Sequence, residues 1–159
     1  MADLLLEILA LAGFFALSFA AAAVGTRFTV AALGTWYAAL RKPSWTPSGR
    51  AIGAVWTVLY ALMAIAAWLV WREAGLAWLP LSLFVLQLVL NAAWSWLFFG
   101  RRDLKGALAE IVVLWIAILA TAVSFWMVSP PAGLLLVPYL AWVAFAGNLN
   151  RILLRMNPA

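Results

Sequence analysis

The 159-residue chain is too apolar for a water-soluble domain of its size, because 69% of its residues are hydrophobic and only 9% are charged. Soluble domains carry about 45–50% apolar and roughly 25% charged residues, and one core of this size cannot hide the excess. The lack of cysteine and histidine removes disulfides, thiol nucleophiles and the usual zinc and haem-iron ligands. The net charge of +5 comes without a long basic run or a glycine-rich phosphate loop, which excludes nucleic acid and nucleotides as ligands. We therefore expect an integral membrane protein with no cofactor and no metal site.

Five apolar segments are each long enough to cross the hydrocarbon as a helix, which takes about 20 residues. They cover residues 4–24, 51–71, 78–99, 104–127 and 133–154. The start, MADLLLEIL, lacks the positive region of a signal peptide, so the first segment is expected to be retained. The alternating pattern of a membrane barrel is absent, and lipid does not tolerate unpaired backbone groups. The sequence predicts one all-α domain over residues 1–159, a bundle of five transmembrane helices, with residues 25–50 as its long loop.

The cations lie almost entirely on one side of this topology. One side holds only Arg72, whereas the other collects Arg27, Arg41, Lys42, Arg50, Arg101, Arg102, Lys105, Arg151 and Arg155. By the positive-inside rule, the N-terminus faces outward, and the long loop and the C-terminus face the cytoplasm. The rule does not name the membrane; we favour a bacterial membrane over the mitochondrial outer membrane.

Three of the predicted helices carry a stripe that combines flat aromatic, hydrogen-bonding and small residues at helical spacing. The stripes are Gly53, Trp56 and Tyr60; Gln87, Asn91 and Trp94; and Tyr139, Trp142, Ala146 and Asn150. One interpretation is that amides and small residues only hold the helices together. However, all three stripes lie toward the cytoplasmic halves of their helices. Their convergence beneath the long loop predicts a pocket for a bulky, flat, apolar ligand.

Glu110 is the lone acidic residue well inside a span, about 9 Å past Leu104 at 1.5 Å per residue. An acidic residue inside a membrane is a functional candidate by default. The alternative is that its carboxylate reaches the nearby basic interface. Both interpretations stay open at this point.

Ordered motifs in four regions define a resemblance to a known family. They are Trp36-Tyr37 with KPSWTP at 42–47, VWTVLY at 55–60, Leu90-Asn91 with Trp94 and Phe98–Gly100, and VPYLAWVAFAGNLN at 137–150. With these motifs the chain resembles the tryptophan-rich sensory protein or translocator protein (TspO/MBR) family, from about Gly25 to Asn157.

This resemblance implies a homodimeric receptor or translocator, with a sensory or transport role, whose pocket is closed by the first loop. The implied ligands are tetrapyrroles such as protoporphyrin IX and haem, and possibly sterols and benzodiazepine or isoquinoline drugs. The pocket positions that carry over are Tyr37, Pro47, Ile52, Trp56, Tyr60, Asn91, Trp94, Trp142, Ala146 and Leu149. In the family's sterol-recognition pattern a tyrosine is required where this chain has Arg151, which lowers the expectation of sterol binding.

Two other functions stay open beside the receptor. The resemblance also implies a light- and oxygen-dependent porphyrin-degrading enzyme, in which Trp56 and Trp142 would be the reactive residues. Ordinary acid–base or nucleophilic catalysis lacks candidates, because the chain has no histidine, thiol or paired carboxylates. The third possibility is a scaffold without a ligand.

The loop at 25–50 is expected to act as a lid. Pro43 and Pro47 limit helix propagation and bias the preceding residues toward extended geometry. Tyr37 and Trp45 would then supply an apolar cover. Arg41, Lys42 and Arg50 would stand where the carboxylates of a porphyrin emerge, gaining charge-assisted hydrogen bonds at a partly wet rim. Alternatively, these cations only set the topology.

Overall fold

The chain folds into a helical bundle in the computed structural model, which describes residues 2–158. The helices are α1 (Ala2–Leu33), α2 (Trp36–Ala39), α3 (Gly49–Ala74), α4 (Trp78–Ser95), α5 (Leu104–Val128), α6 (Pro130–Leu135) and α7 (Val137–Met156). A π-helical turn, Trp96–Gly100, extends α4. Five stretches are long and apolar enough to cross a membrane, with α4 and its π turn forming one and α6 and α7 another. Residues 2–158 contain no strand, so the predicted all-α bundle of five membrane helices is confirmed.

Local signals in the sequence set where several helices begin and end. Ser48 caps α3, because its Oγ accepts a hydrogen bond of 3.2 Å from the backbone N–H of Ala51. Asp103 caps α5 in the same way through the N–H of Gly106, at 2.8 Å. Gly75 ends α3 with a φ of +61°, a conformation that glycine adopts without steric cost.

The prediction that the long loop begins at residue 25 was wrong. Helix α1 continues to Leu33, so the first loop comprises residues 34–48 and contains the short helix α2. The apolar run weakens at Thr26 and Arg27, but no proline or other helix-stopping residue follows before Gly34. The drop in hydropathy therefore marks the end of the apolar run and not the end of the helix.

The main cluster of buried core residues lies away from this loop, among α3, α4, α5, α6 and α7. Met63, Phe84, Ile118 and Phe125 are fully buried there, and the rings of Phe84 and Phe125 lie 6.2 Å apart. Helix association in lipid depends on close van der Waals packing, which small residues on α3 permit. These are Ala64, Ala66 and Ala67, each with no exposed surface.

The two ends of α1 contact different partners, and this difference makes room for a cavity. Near its start, Glu7 pairs with Arg72 at the end of α3, with 3.5 Å between Oε1 and Nε. Near its other end, α1 lies against the end of α4: a Cβ added to Gly25 would lie 2.9 Å from Ser95 Oγ. A cavity opens between this half of α1 and the first half of α3.

Candidate ligand-binding cavity

A cavity of about 830 Å³ lies next to the first loop, among α1, α3, α7 and the end of α4. Its volume falls within the roughly 300–1,000 Å³ typical of pockets for drug-sized molecules. Aromatic rings from every one of these elements line it, namely Phe19, Tyr37, Trp56, Tyr60, Trp94, Phe98, Phe99, Trp142 and Phe145.

The structure brings together nine of the ten residues predicted for the pocket. The nine are Tyr37, Ile52, Trp56, Tyr60, Asn91, Trp94, Trp142, Ala146 and Leu149. Pro47 does not line the cavity, because it lies in the loop directly before Ser48, the residue that caps α3. Gln87, expected on the same stripe as Asn91, is instead buried in the core, where its Nε2 lies 3.6 Å from Met63 Sδ.

Asn91 connects three helices through its side-chain amide. The hydroxyl of Tyr60 donates to Asn91 Oδ1 at 2.6 Å, and Asn91 Nδ2 donates to the hydroxyl oxygen of Tyr139 at 2.9 Å. The Trp56 ring packs on this group, with its centroid 5.6 Å from that of Tyr60 and 6.0 Å from that of Tyr139. Asn91 therefore fixes the cavity's inner wall, and both ends of its amide are already hydrogen-bonded.

Stacked rings form the side of the cavity at the end of α4. Trp94 stacks on Phe98 with 5.0 Å between centroids, and Phe98 packs edge-on against Phe99 at 4.7 Å. Tyr37, from α2, lies 5.6 Å from Phe99 and so joins the loop to this side. Burial raises the pKa of the Tyr37 hydroxyl above its ordinary value, because desolvation disfavours the phenolate.

The side formed by α7 carries a second aromatic pair. Trp142 and Phe145 lie 5.2 Å apart at an interplanar angle of 32°. Trp45, expected to cover the cavity directly, instead packs on Phe145 at 5.9 Å and stays half exposed, at 49%. The loop therefore supports this side and covers the cavity through Tyr37.

Three polar atoms of cavity-lining residues are buried without a hydrogen-bond partner within residues 2–158. They are the indole nitrogens of Trp94 and Trp142 and the Oδ1 of Asn150. The Nδ2 of Asn150 donates to the carbonyl of Leu104 at 2.9 Å, which holds the side chain in place. Buried polar groups in folded proteins are nearly always paired, so these two donors and one acceptor are unusual. Each has almost no accessible surface, so a ligand in the cavity would reach it only after a rotation of the side chain.

The cavity is open on one side, between α1 and α3. Every lining residue that is exposed on the molecular surface belongs to these two helices: Phe19, Ala23, Thr26, Arg27, Val30, Gly49, Gly53 and Thr57. Gly53 contributes to the opening, because a Cβ added there would meet no atom within 4 Å. The lining residues of α4 and α7 are buried or half-buried.

The loop cations do not lie where the sequence suggested. Arg41, Lys42 and Arg50 do not line the cavity. The Lys42 Nζ donates to the carbonyls of Tyr37, Ala38 and Leu40 at 2.5, 3.2 and 3.1 Å, so it caps the end of α2. Arg27 lines the cavity instead. Sequence reasoning missed this residue because it assigned position 27 to a loop, although Ala23, Arg27 and Val30 share a helical face.

Glu110 belongs to neither the cavity nor the basic interface. It does not line the cavity. Both its carboxylate oxygens are buried, and no hydrogen-bond donor or cation contacts them within residues 2–158. Of the two interpretations left open, the one in which its carboxylate reaches the interfacial cations is therefore wrong.

The fold and the cavity define a multi-pass helical membrane protein with an internal aromatic site. The chain belongs to the TspO/MBR family, whose profile matches residues 14–155. It is 44% identical to the translocator protein of Homo sapiens over 138 residues, which are 84% of this chain and 82% of that protein. It is 41% identical to the tryptophan-rich protein TspO of Chlorobaculum tepidum over 158 residues, 96% and 98% of the two chains. Protein CrtK of Rhodobacter capsulatus is 40% identical over 142 residues, 87% and 89% of the two chains.

These comparisons confirm the family resemblance and the integral, multi-pass membrane location. They also support a role as a membrane translocator or sensory protein, which is the function that the relatives' names share with the prediction.

Proposed function

We propose that this protein is a membrane receptor or carrier that binds a tetrapyrrole, such as protoporphyrin IX or haem, in the cavity next to the first loop. The observation that carries the proposal is the meeting of Trp56, Trp94 and Trp142 from three separate helices in one cavity of about 830 Å³. Tryptophans that only anchor a protein at the membrane–water interface would not need to converge inside the bundle.

The shape of the aromatic lining supports a flat ligand. Offset-stacked and edge-on ring pairs add about 0.5–1.5 kcal/mol each beyond the area they bury. A macrocycle between the Trp94–Phe98 pair and the Trp142–Phe145 pair would gain such contacts on both faces. Ile52, Ala146 and Leu149 are among the aliphatic residues that complete the lining.

The buried polar atoms support a ligand with its own hydrogen-bonding groups. After a rotation of their side chains, the indole N–H groups of Trp94 and Trp142 would donate to carbonyl or carboxyl oxygens, and Asn150 Oδ1 would accept from a ring N–H. An apolar drug could use the same cavity, but it would leave these atoms unpaired, as they are without a ligand. Sterols are not part of the proposal, because Arg151 replaces the tyrosine of the sterol pattern.

The orientation proposed is the one that the cations favour, with the N-terminus outside and the first loop on the cytoplasmic side of a bacterial membrane. The Glu7–Arg72 pair then lies at the outer end of the bundle, and the mouth of the cavity lies toward the cytoplasmic end. A homodimer stays a prediction from the family resemblance.

The test is a titration of purified protein in detergent with protoporphyrin IX, followed by ligand absorbance and tryptophan quenching. Trp56→Phe and Trp142→Phe should each weaken binding about 3- to 10-fold, because each removes part of a stacking surface. Trp126→Phe is the matched control, since Trp126 is 49% exposed and lies outside the cavity. Unchanged affinity in both cavity variants would contradict the proposed site.

The porphyrin-degrading enzyme is the second candidate, favoured by the ring contacts that join Trp56 to Tyr60 and Tyr139. These contacts would let an oxidised indole exchange an electron with a neighbouring phenol. Under light and oxygen, the bound ligand should then bleach faster than free protoporphyrin IX in detergent, and Trp56→Phe should remove the difference. Equal bleaching rates count against an enzyme. A scaffold without a ligand would show no saturable thermal stabilisation by protoporphyrin IX.

A further inference from the structure

Among the 27 residues that line the cavity, Arg27 is the only one with a charged side chain. It projects from α1 two turns before the end of that helix, where the cavity is open between α1 and α3. Its side chain is exposed, and no carboxylate within residues 2–158 lies close enough to form an ion pair with it. No side-chain hydrogen bond to another described residue holds it either.

We propose that Arg27 binds a carboxylate of the ligand, so that the cavity selects flat hydrophobic molecules that carry an acidic group at one edge. This inference rests on the proposed function and adds the ligand's charge to it. The macrocycle would occupy the aromatic interior, and its carboxylate would extend into the opening of the cavity beside Thr26, Val30 and Gly53.

The location of Arg27 suits this role better than a position deeper in the cavity would. A fully buried ion pair must offset a large desolvation cost for both ions. At the exposed rim both charges stay partly hydrated, while the guanidinium still presents two parallel donors to a carboxylate. The surrounding wall is apolar, so a carboxylate placed elsewhere along it would find no cation.

The other cations near the loop do not compete for this role. The ammonium of Lys42 is held by three backbone carbonyls and by the face of Tyr37, 4.8 Å from the ring centroid. Arg41 and Arg50 are exposed but do not line the cavity. The selectivity for an acidic ligand should therefore depend on one residue.

The experiment compares two probes on four proteins: the wild type and three variants. Protoporphyrin IX carries two carboxylates, and its dimethyl ester keeps the same macrocycle without any. Arg27→Gln should weaken protoporphyrin IX binding about 5- to 10-fold, the range of a charge-assisted hydrogen bond at a partly exposed site, and leave the dimethyl ester unchanged. Arg27→Lys should restore part of the loss. Arg50→Gln is the matched control and should change neither affinity.

Salt provides an independent measurement on the same proteins. The preference of the wild-type protein for the acid over the ester should shrink between low and high ionic strength, because screening weakens an exposed ion pair. The preference of Arg27→Gln should be small at both.

Equal losses for both probes in Arg27→Gln would overturn the inference, because they would indicate a change in cavity shape. An unchanged acid affinity in that variant would overturn it too, and would leave Arg27 with a role in topology only. If neither probe binds the wild-type protein, it is the proposed function that fails.

Discussion

The hydrogen bonds of Asn91 give the sharpest prediction about stability, because one side chain joins three helices. Asn91→Leu keeps the number and branching of the side-chain heavy atoms but removes the bonds of 2.6 Å to Tyr60 and 2.9 Å to Tyr139. Side-chain hydrogen bonds between membrane helices average about 0.6 kcal/mol and reach about 1.7 kcal/mol. All three residues are at most 6% exposed, so water has little access to the phenols that lose their partner. We expect the free energy of unfolding to fall by about 2–3 kcal/mol.

The assay is reversible unfolding in mixed micelles of mild detergent and dodecyl sulfate, followed by circular dichroism. Tyr139→Phe removes only one of the two bonds and should cost about 1 kcal/mol. The double variant with Asn91→Leu should be no less stable than Asn91→Leu alone, because the bond is already absent. Thr57→Val is the control: its hydroxyl bonds only the carbonyl of Gly53 in its own helix and is exposed, so the change should stay within about 0.5 kcal/mol. An Asn91→Leu protein as stable as the wild type would refute the reasoning.

Three further predictions concern the helix packing and the loop. Gly133→Ala should destabilise the fold by about 1–3 kcal/mol in the same unfolding assay, because the new Cβ would lie 2.7 Å from the Cβ of Trp126 and force α6 away from α5. Asn157→Ala should speed amide hydrogen exchange in the first loop, since its side chain accepts from the N–H of Arg41 at 2.9 Å and donates to the Arg41 carbonyl at 3.0 Å; unchanged exchange would show that the loop is held elsewhere. Burial raises the pKa of Tyr37, so the folded state holds this proton more tightly than the unfolded state and stability should fall as the pH rises above 10. Tyr37→Phe should flatten that part of the pH profile, and an identical profile in both proteins would contradict it.

The sequence by itself determined the class of protein, the number of helices and most of the site. Apolar runs long enough to cross a bilayer must be helical there, and the helical repeat then fixes which residues share a face. The stripe of Gly53, Trp56 and Tyr60 could be predicted for that reason, and all three line the cavity. The ordered motifs were specific enough to indicate the family, which the comparisons confirm.

Only the tertiary structure decided which side chains on those helix faces line the cavity and which make hydrogen bonds or contacts elsewhere. The amide of Asn91 is hydrogen-bonded to two phenols, and Lys42 caps a short helix. Pro47 lies in the loop directly before Ser48, outside the cavity. Arg27 reaches the cavity because α1 continues as a helix past its apolar run and its last part packs against the end of α4. The periodicity of a helix is local and readable from its own residues, whereas the crossing of two helices depends on side chains far apart in the chain.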